Sequence, residues 1–197
     1  MPNWCNNTLS LTGPKEKITA IYNKAKEDNA LLQQLKPMPE ALEGTTSPTG
    51  SADKPQPVVD GFDNWYDWRV QNWGTKWDVD VDDNLELSDD GTTISGWFDS
   101  AWAPPIHAYE YFLTENEDCS IKSYYYEGGM DFAGLWEDFA DAEVTPSEFT
   151  ADEMEDPQMG VIYDLNENFN FSEAVREYEE ESDTEKFIVK KEAVNAE

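Results

Sequence analysis

An α+β fold, an antiparallel sheet with its helices on one face, is what this 197-residue sequence predicts. Three observations lead there. Short runs of period-two hydrophobicity alternate with runs of helical period. Turn residues separate them. Their order is strand, helix, long loop, strand, strand, helix, strand, which is the split βαβ, or ferredoxin-like, arrangement. A hydrophobic content of 39%, with 13% aromatic, supplies a core built largely from wide rings.

The first strand is expected over Asn6–Leu11, with Leu9 and Leu11 on one face and Thr8 and Ser10 on the other. Gly13-Pro14 opens a helix, since proline suits a first turn whose N–H groups have no partner. Ile18, Ile21, Tyr22 and Ala25 make its apolar stripe, and Leu31, Leu32 and Leu35 extend it after a break at Asp28-Asn29. Residues 36–59 hold five prolines among Gly, Ser and Thr and read as a long loop insertion. From Phe62 to Trp77 the chain carries four of its eight tryptophans, together with Arg69 and Lys76. Phe62, Trp65, Arg69, Asn72 and Trp73 fall on one side of a short helix that Asp63 or Asn64 caps and Gly74 ends.

Lys76–Val81 alternates valine with aspartate and reads as a half-buried strand with an acidic outer face. Ser88–Gly91 is a turn and Thr92–Asp99 the returning strand of a hairpin. A second aromatic group follows at Trp97-Phe98 and Trp102. Pro104-Pro105 opens a helix with Ile106, Tyr109, Phe112 and Leu113 inward, and Ser120–Tyr126 is the last strand of the set. With that strand antiparallel to the first, Cys5 and Cys119 lie at opposite ends, which predicts two free thiols. After Glu127 the character changes. Residues 127–197 hold 22 acidic and 4 basic residues. Thr145–Glu148 has the form of a capping box, 161–171 reads as a strand, Ser172 caps a helix to about Ser182, and Phe187–Val189 reads as another strand. The expected organisation is a ferredoxin-like domain at 1–135 and an acidic α/β extension at 136–197.

The net charge of -30 argues against a direct nucleic-acid or anionic-membrane contact, which needs lysine and arginine. It favours a basic partner. No apolar run approaches the ~18 residues of a membrane span, and no basic-then-apolar leader opens the chain. Two cysteines without a disulfide pattern suit a reducing cytoplasm.

Met1–Leu9, the groups Asp67-Trp68-Arg69 and Asn72–Trp77, and Ala101-Trp102 with Pro104-Pro105 resemble the YubB-type ferredoxin-like domain family. The resemblance covers roughly residues 1–135. Members are small proteins of bacteriophages and conjugative plasmids, so the resemblance implies the fold and a mobile-element origin; it implies no activity. Ala103 departs from the serine expected there, and the acidic region after residue 140 departs as a whole.

Two candidate sites follow. Alternate carboxylates on a strand stand about 6.7 Å apart, and with helix acids such a ladder imitates a phosphate row. Asp78, Asp80, Asp82 and Asp83 with Glu177, Glu180 and Glu181 would then meet a basic groove. The reading is a phage or plasmid inhibitor that blocks the DNA- or RNA-binding groove of a host defence protein in the bacterial cytoplasm, without cofactor or metal. A homodimer would lengthen the charge imitation. The alternative is a nucleotide-like ligand held by Trp68, Arg69, Asn72, Trp73, Lys76 and Trp102, where indoles stack and the guanidinium grips a phosphate. The same residues equally suit a core in which aromatics pack and the cations find acidic partners. Asp78, Asp80 and Asp82 match the first half of an EF-hand loop, but its sixth and twelfth positions are Asp83 and Asp89, not glycine and glutamate, and the alternating valines favour a strand over a calcium loop. Catalysis lacks a motif. His107 is the sole histidine, and there is no glycine-rich phosphate loop or Cys/His metal pair. The chain is expected not to be an enzyme.

Overall fold

The computed structural model describes residues 3–51, 55–81 and 84–178. Its centre is β1 (Trp4–Thr12), where Cys5, Asn7, Leu9 and Leu11 turn to one face and Trp4, Asn6 and Thr12 to the other. This alternation is that of a strand with one face packed on the core, and β1 also pairs along both edges. β3 (Thr93–Ala101) lies antiparallel on one edge, with Leu9 opposite Gly96. β4 (Ser120–Glu127) lies antiparallel on the other, with Leu11 opposite Ile121. β2 (Leu85–Leu87) pairs with β3. β5 (Phe132–Glu137) and β6 (Ala140–Val144) continue beyond β4, so the six-stranded antiparallel sheet runs β2-β3-β1-β4-β5-β6. β5 crosses residue 135 without a break.

The main core lies on one face of this sheet. α1 (Lys15–Asp28) buries Ile18 and Ala25, and Asn29 closes it in the left-handed conformation that asparagine tolerates. α2 (Leu32–Leu35) follows. α3 (Trp65–Trp73) starts at Asn64, whose side chain accepts from the Asp67 N–H, and ends at Gly74 with φ 89°. α4 (Ile106–Glu115) starts after Pro105 and buries Ala108, Tyr109, Phe112 and Leu113. Gly96 is dictated by contact as well as by its φ of 145°: a Cβ there would stand 1.9 Å from the Asn84 carbonyl. Both cysteines are free thiols, Cys5 buried and Cys119 half-buried.

Residues 76–81 correct one expectation. They alternate in burial, with Val79 and Val81 at 1% exposure, but they are not a strand of the sheet. Their hydrogen bonds go to the helical layer. The Asp78 carboxylate accepts from the N–H groups of Leu32, Gln33 and Val79, at 2.7, 2.8 and 2.8 Å. Asn29 Oδ1 accepts from the Val81 N–H, and Lys26 donates to the Val81 carbonyl. Alternation reports which side chains are buried, not where the backbone bonds. The hairpin therefore uses Leu85–Leu87, not 76–81, opposite β3.

The region after β6 differs in two ways. The capping box forms at Thr150 and Glu153, at the start of α5 (Ala151–Met154), not at Thr145. Residues expected as a strand form α6 (Val161–Phe169), whose Ile162, Leu165 and Asn166 recur at helical spacing. A further helix, α7 (171–178), follows, with the Ser172 N–H on Asn166 Oδ1. The expected strand at Phe187–Val189 lies outside the described residues. The C-terminal helices pack on the second face of the sheet, where Met154, Ile162, Leu165 and Phe171 meet Ala133, Tyr124 and Tyr126. Tyr126, Phe169 and Phe171 form a ring cluster, the closest pair 4.7 Å between centroids. Among the described residues no helix packs on the β1–β3 part of that face, and Trp97 is 56% exposed.

Two measurements check this arrangement. Burial pushes the Cys5 thiol up to about 12 and raises that of Cys119 less. A thiol reagent at neutral pH is therefore expected to label Cys119 and to spare Cys5 until the chain unfolds; equal labelling of both in the native state would contradict the fold. The Asp90 carboxylate accepts from the Thr92 side chain, the Ser88 side chain and the Thr92 N–H, which hold it at about 2 against an ordinary 3.8. Its support of the hairpin turn is complete above the ordinary value and is lost as pH falls through about 2. Amide exchange at Thr92 is expected to accelerate over that window, and Asp90→Asn to remove the pH dependence.

Candidate partner-binding surface and tryptophan cleft

The amphipathic character of α3 splits its residues between the core and a rim. Trp68 and Trp73 are buried, 4% and 0% exposed, with rings edge-to-face 5.8 Å apart. Trp73 Nε1 donates to the Lys36 carbonyl at 2.8 Å. Asn72 turns back on its own helix, donating to the Trp68 carbonyl at 2.9 Å. Arg69 sits between two indoles, 4.8 Å from the Trp73 ring and 5.2 Å from that of Trp65. Its Nε is buried without a hydrogen-bond partner. Burial lowers the guanidinium pKa, opposed by the fields of Asp78 and Glu43. Arg69 also walls a cavity of about 360 Å³ with Met38, Glu43, Trp65 and Trp77.

Lys76 is enclosed in the same manner. Its ammonium lies 4.4 Å from the Trp77 ring and 5.7 Å from those of Tyr66 and Trp102. Trp102 holds a φ of 71°, uncommon for a bulky side chain, and donates its N–H to the Asn3 carbonyl. Of the residues expected to hold a ligand, Arg69, Lys76 and Trp102 thus reach a rim, while Trp68, Asn72 and Trp73 face inward.

The carboxylates separate as well. Asp78 is turned into the helical layer, and desolvation raises its pKa despite three N–H donors. Asp80 is exposed. Asp82, Asp83, Glu180 and Glu181 lie outside the described residues. Glu177 is exposed on α7, one turn from exposed Glu173; Asp164 and Glu167 are exposed on α6. Arg176 is the one cation among the described residues after Glu127. It already bridges Asp152 at 3.0 Å and Glu155 at 2.8 Å, which lowers the Glu155 pKa.

A cleft that the sequence did not announce lies beside β3. Trp4, Trp77 and Trp97 line it with Asp78, Asp80 and Asp99, around about 380 Å³. The signal available was the Trp97-Phe98 pair, because alternation sends one ring to the core and the other out. Phe98 is 1% exposed and Trp97 56%. A third hollow, of about 350 Å³, gathers His107, Glu110, Tyr125, Asp141 and Glu143. There His107 Nδ1 meets the Gln71 carbonyl, and the Tyr125 hydroxyl donates to Asp141 at 2.8 Å. Burial, then that carboxylate, pushes the Tyr125 pKa up. Among the described residues no group of three or more His, Cys, Asp or Glu side chains is arranged to hold a metal ion.

No protein-family model and no curated protein matches the sequence. Among solved structures the chain is similar to the protein api92 from Yersinia pseudotuberculosis, of family-model DUF1281. The identity is 11% and the TM-score 0.41, over 73% of this chain and 98% of that one.

The packing of α3 yields a stability contrast. Trp73→Ala is expected to cost about 3–5 kcal/mol, the usual range for emptying a buried ring site. Arg69→Ala, which removes two ring contacts of a partly buried cation, is expected to cost about 1–2 kcal/mol. Urea unfolding of the two variants checks the order; a larger loss for Arg69→Ala would overturn it.

Proposed function

We propose that this protein is an acidic inhibitor from a phage or plasmid, which imitates nucleic acid and blocks the DNA- or RNA-binding groove of a host defence protein. The YubB-type resemblance supplies the mobile-element origin, and a ferredoxin-like reading of β1–β4 with α1 and α4 supplies a rigid platform. The observation that carries the reading is the charge of the C-terminal helices. Asp164, Glu167, Glu173 and Glu177 are exposed; Arg176 is engaged by Asp152 and Glu155, and Lys122 on β4 lies in the field of Asp164. Glu173 and Glu177, four residues apart on a helix, stand about 6 Å apart along the axis, close to two base steps of a DNA strand at about 3.4 Å each. The mechanism is competition by charge. It needs no chemistry and no cofactor, makes no direct nucleic-acid contact, and operates in the bacterial cytoplasm. No described helix is long and apolar enough to cross a membrane.

A second reading, a nucleotide-like ligand beside Arg69, is favoured by the unpartnered Nε at a cavity wall. It draws on Arg69, Lys76 and Trp102 only, and it predicts loss of ligand on Arg69→Ala without unfolding.

Affinity capture from bacterial lysate, at low and high salt and with competing duplex DNA, tests the inhibitor reading. The expected outcome is one nucleic-acid-binding protein, released by salt and by DNA. Replacing Asp164, Glu167, Glu173 and Glu177 by their amides is expected to weaken that capture by at least about tenfold. Binding indifferent to salt, or unhindered DNA binding within the complex, would sink the proposal.

A further inference from the structure

The cleft beside β3 invites a more specific assignment, which rests on the reading of the protein as a binder of a basic partner. We propose that Trp4, Trp77 and Trp97, with Asp80 and Asp99, form a receptor for an arginine side chain of a basic polypeptide partner.

The argument begins with strand pairing. β2 covers β3 only at Ile94–Gly96. Further along the same edge, the Trp97 N–H donates to the Asn84 carbonyl at 3.2 Å. The Thr75 hydroxyl then serves both backbone groups of Ala101, accepting its N–H at 2.9 Å and donating to its carbonyl at 3.0 Å. Asp99 stands between these partners, two residues from each, and among the described residues no strand pairs with it on that edge. The cleft lies beside it.

The walls define the chemistry. Trp4 and Trp97 are 47% and 56% exposed, although a large indole in water is unfavourable. The Trp4 ring leans on Trp77 at 5.9 Å, which fixes one wall. The rim is acidic. Asp99 is exposed and accepts from Asn6 Nδ2 at 2.6 Å, which orients its carboxylate and leaves lone pairs for a further donor. The carboxylates of the rim disfavour a phosphate or carboxylate ligand. A flat cation fits: guanidinium stacks on indole and forks onto carboxylate, and it sheds water more readily than an ammonium.

The same chain shows this chemistry in two other places. Arg69 lies between Trp65 and Trp73, and Lys76 among Tyr66, Trp77 and Trp102. Those aromatic groups are served by internal cations. Among the described residues no lysine or arginine stands over Trp4 or Trp97. The cleft shares Trp77 with the Lys76 group and differs in that its Trp4 and Trp97 rings face outward beside the Asp99 carboxylate.

The test uses the full chain, labelled so that indole N–H signals are resolved by NMR. It is titrated with N-acetyl-arginine amide and, separately, with the citrulline and lysine analogues. Saturable shifts of Trp4, Trp77 and Trp97 are expected with arginine, about tenfold weaker with neutral citrulline, and weaker also with lysine. The buried indoles of Trp73 and Trp136 stay in place. Trp97→Ala and Asp99→Asn, both at exposed positions, are each expected to weaken the response at least about fivefold. Absence of saturable shifts at the three indoles, or an equal response to citrulline or lysine, overturns the assignment. The two readings fail separately. A captured partner without an arginine response removes the cleft alone, and an arginine response without a salt-sensitive partner removes the inhibitor reading alone.

Discussion

β1 hydrogen-bonds along both edges, and that double pairing orients everything of functional interest. A strand held on two sides cannot rotate or slip by one residue without exchanging its faces. Cys5, Asn7, Leu9 and Leu11 are thereby committed to the core, and Trp4 and Asn6 to the opposite face. Register carries the commitment to β3, where Asn6 stands opposite Asp99 and Thr8 opposite Trp97. The polar atoms that this burial entails are satisfied locally: the Asn7 amide donates to the Cys5 carbonyl and to Ser100 Oγ, and Ser123 Oγ to the Thr8 carbonyl. Buried groups left unsatisfied would cost about 1–3 kcal/mol each.

The second constraint is the scarcity of cations. Thirteen lysines and arginines face 43 acids. Several lie against rings: Arg69 and Lys76 against tryptophans, Lys36 against Tyr111 and Lys122 against Tyr124. Exposed ion pairs such as Lys24 with Asp28 are screened by solvent and contribute little, so pairing does not offset the self-repulsion. Stability rests on the two apolar clusters, one on each face of the sheet.

Most of the first 126 residues was legible because local signals and burial agreed. Asn64, Gly74, Asn29 and the prolines before α1 and α4 mark the helix ends where the sequence places them. The run at 76–81 misled because valines can alternate against helices as well as within a sheet, and nothing in the sequence shows that Asp78 reaches the N–H groups of Leu32 and Gln33. α6 was obscured by its own amphipathicity. Val161, Tyr163 and Leu165 alternate, but only the recurrence of Ile162, Leu165 and Asn166 matches the burial. At the tryptophans the residue types were informative and their directions were not. Trp68 and Trp73 share a helix with Arg69 and are core, whereas Trp4, Trp77 and Trp97, distant in sequence, meet at a strand edge. That meeting depends on register and on the short reach of β2, which no local pattern encodes.

The ring cluster of Tyr126, Phe169 and Phe171 has a consequence for how the carboxylates are displayed. Phe169 closes α6 and Phe171 opens α7, so the joint between the two helices is itself the point of attachment to the sheet. Asp164 and Glu167 stand on one arm of that joint, Glu173 and Glu177 on the other. Fixing the elbow sets the angle between the arms before any encounter. On the proposed reading, a surface prepared in this way would surrender little conformational freedom when occupied, so more of its electrostatic attraction would remain as affinity. The aromatic elbow would then pre-organise a charge pattern that it does not itself touch.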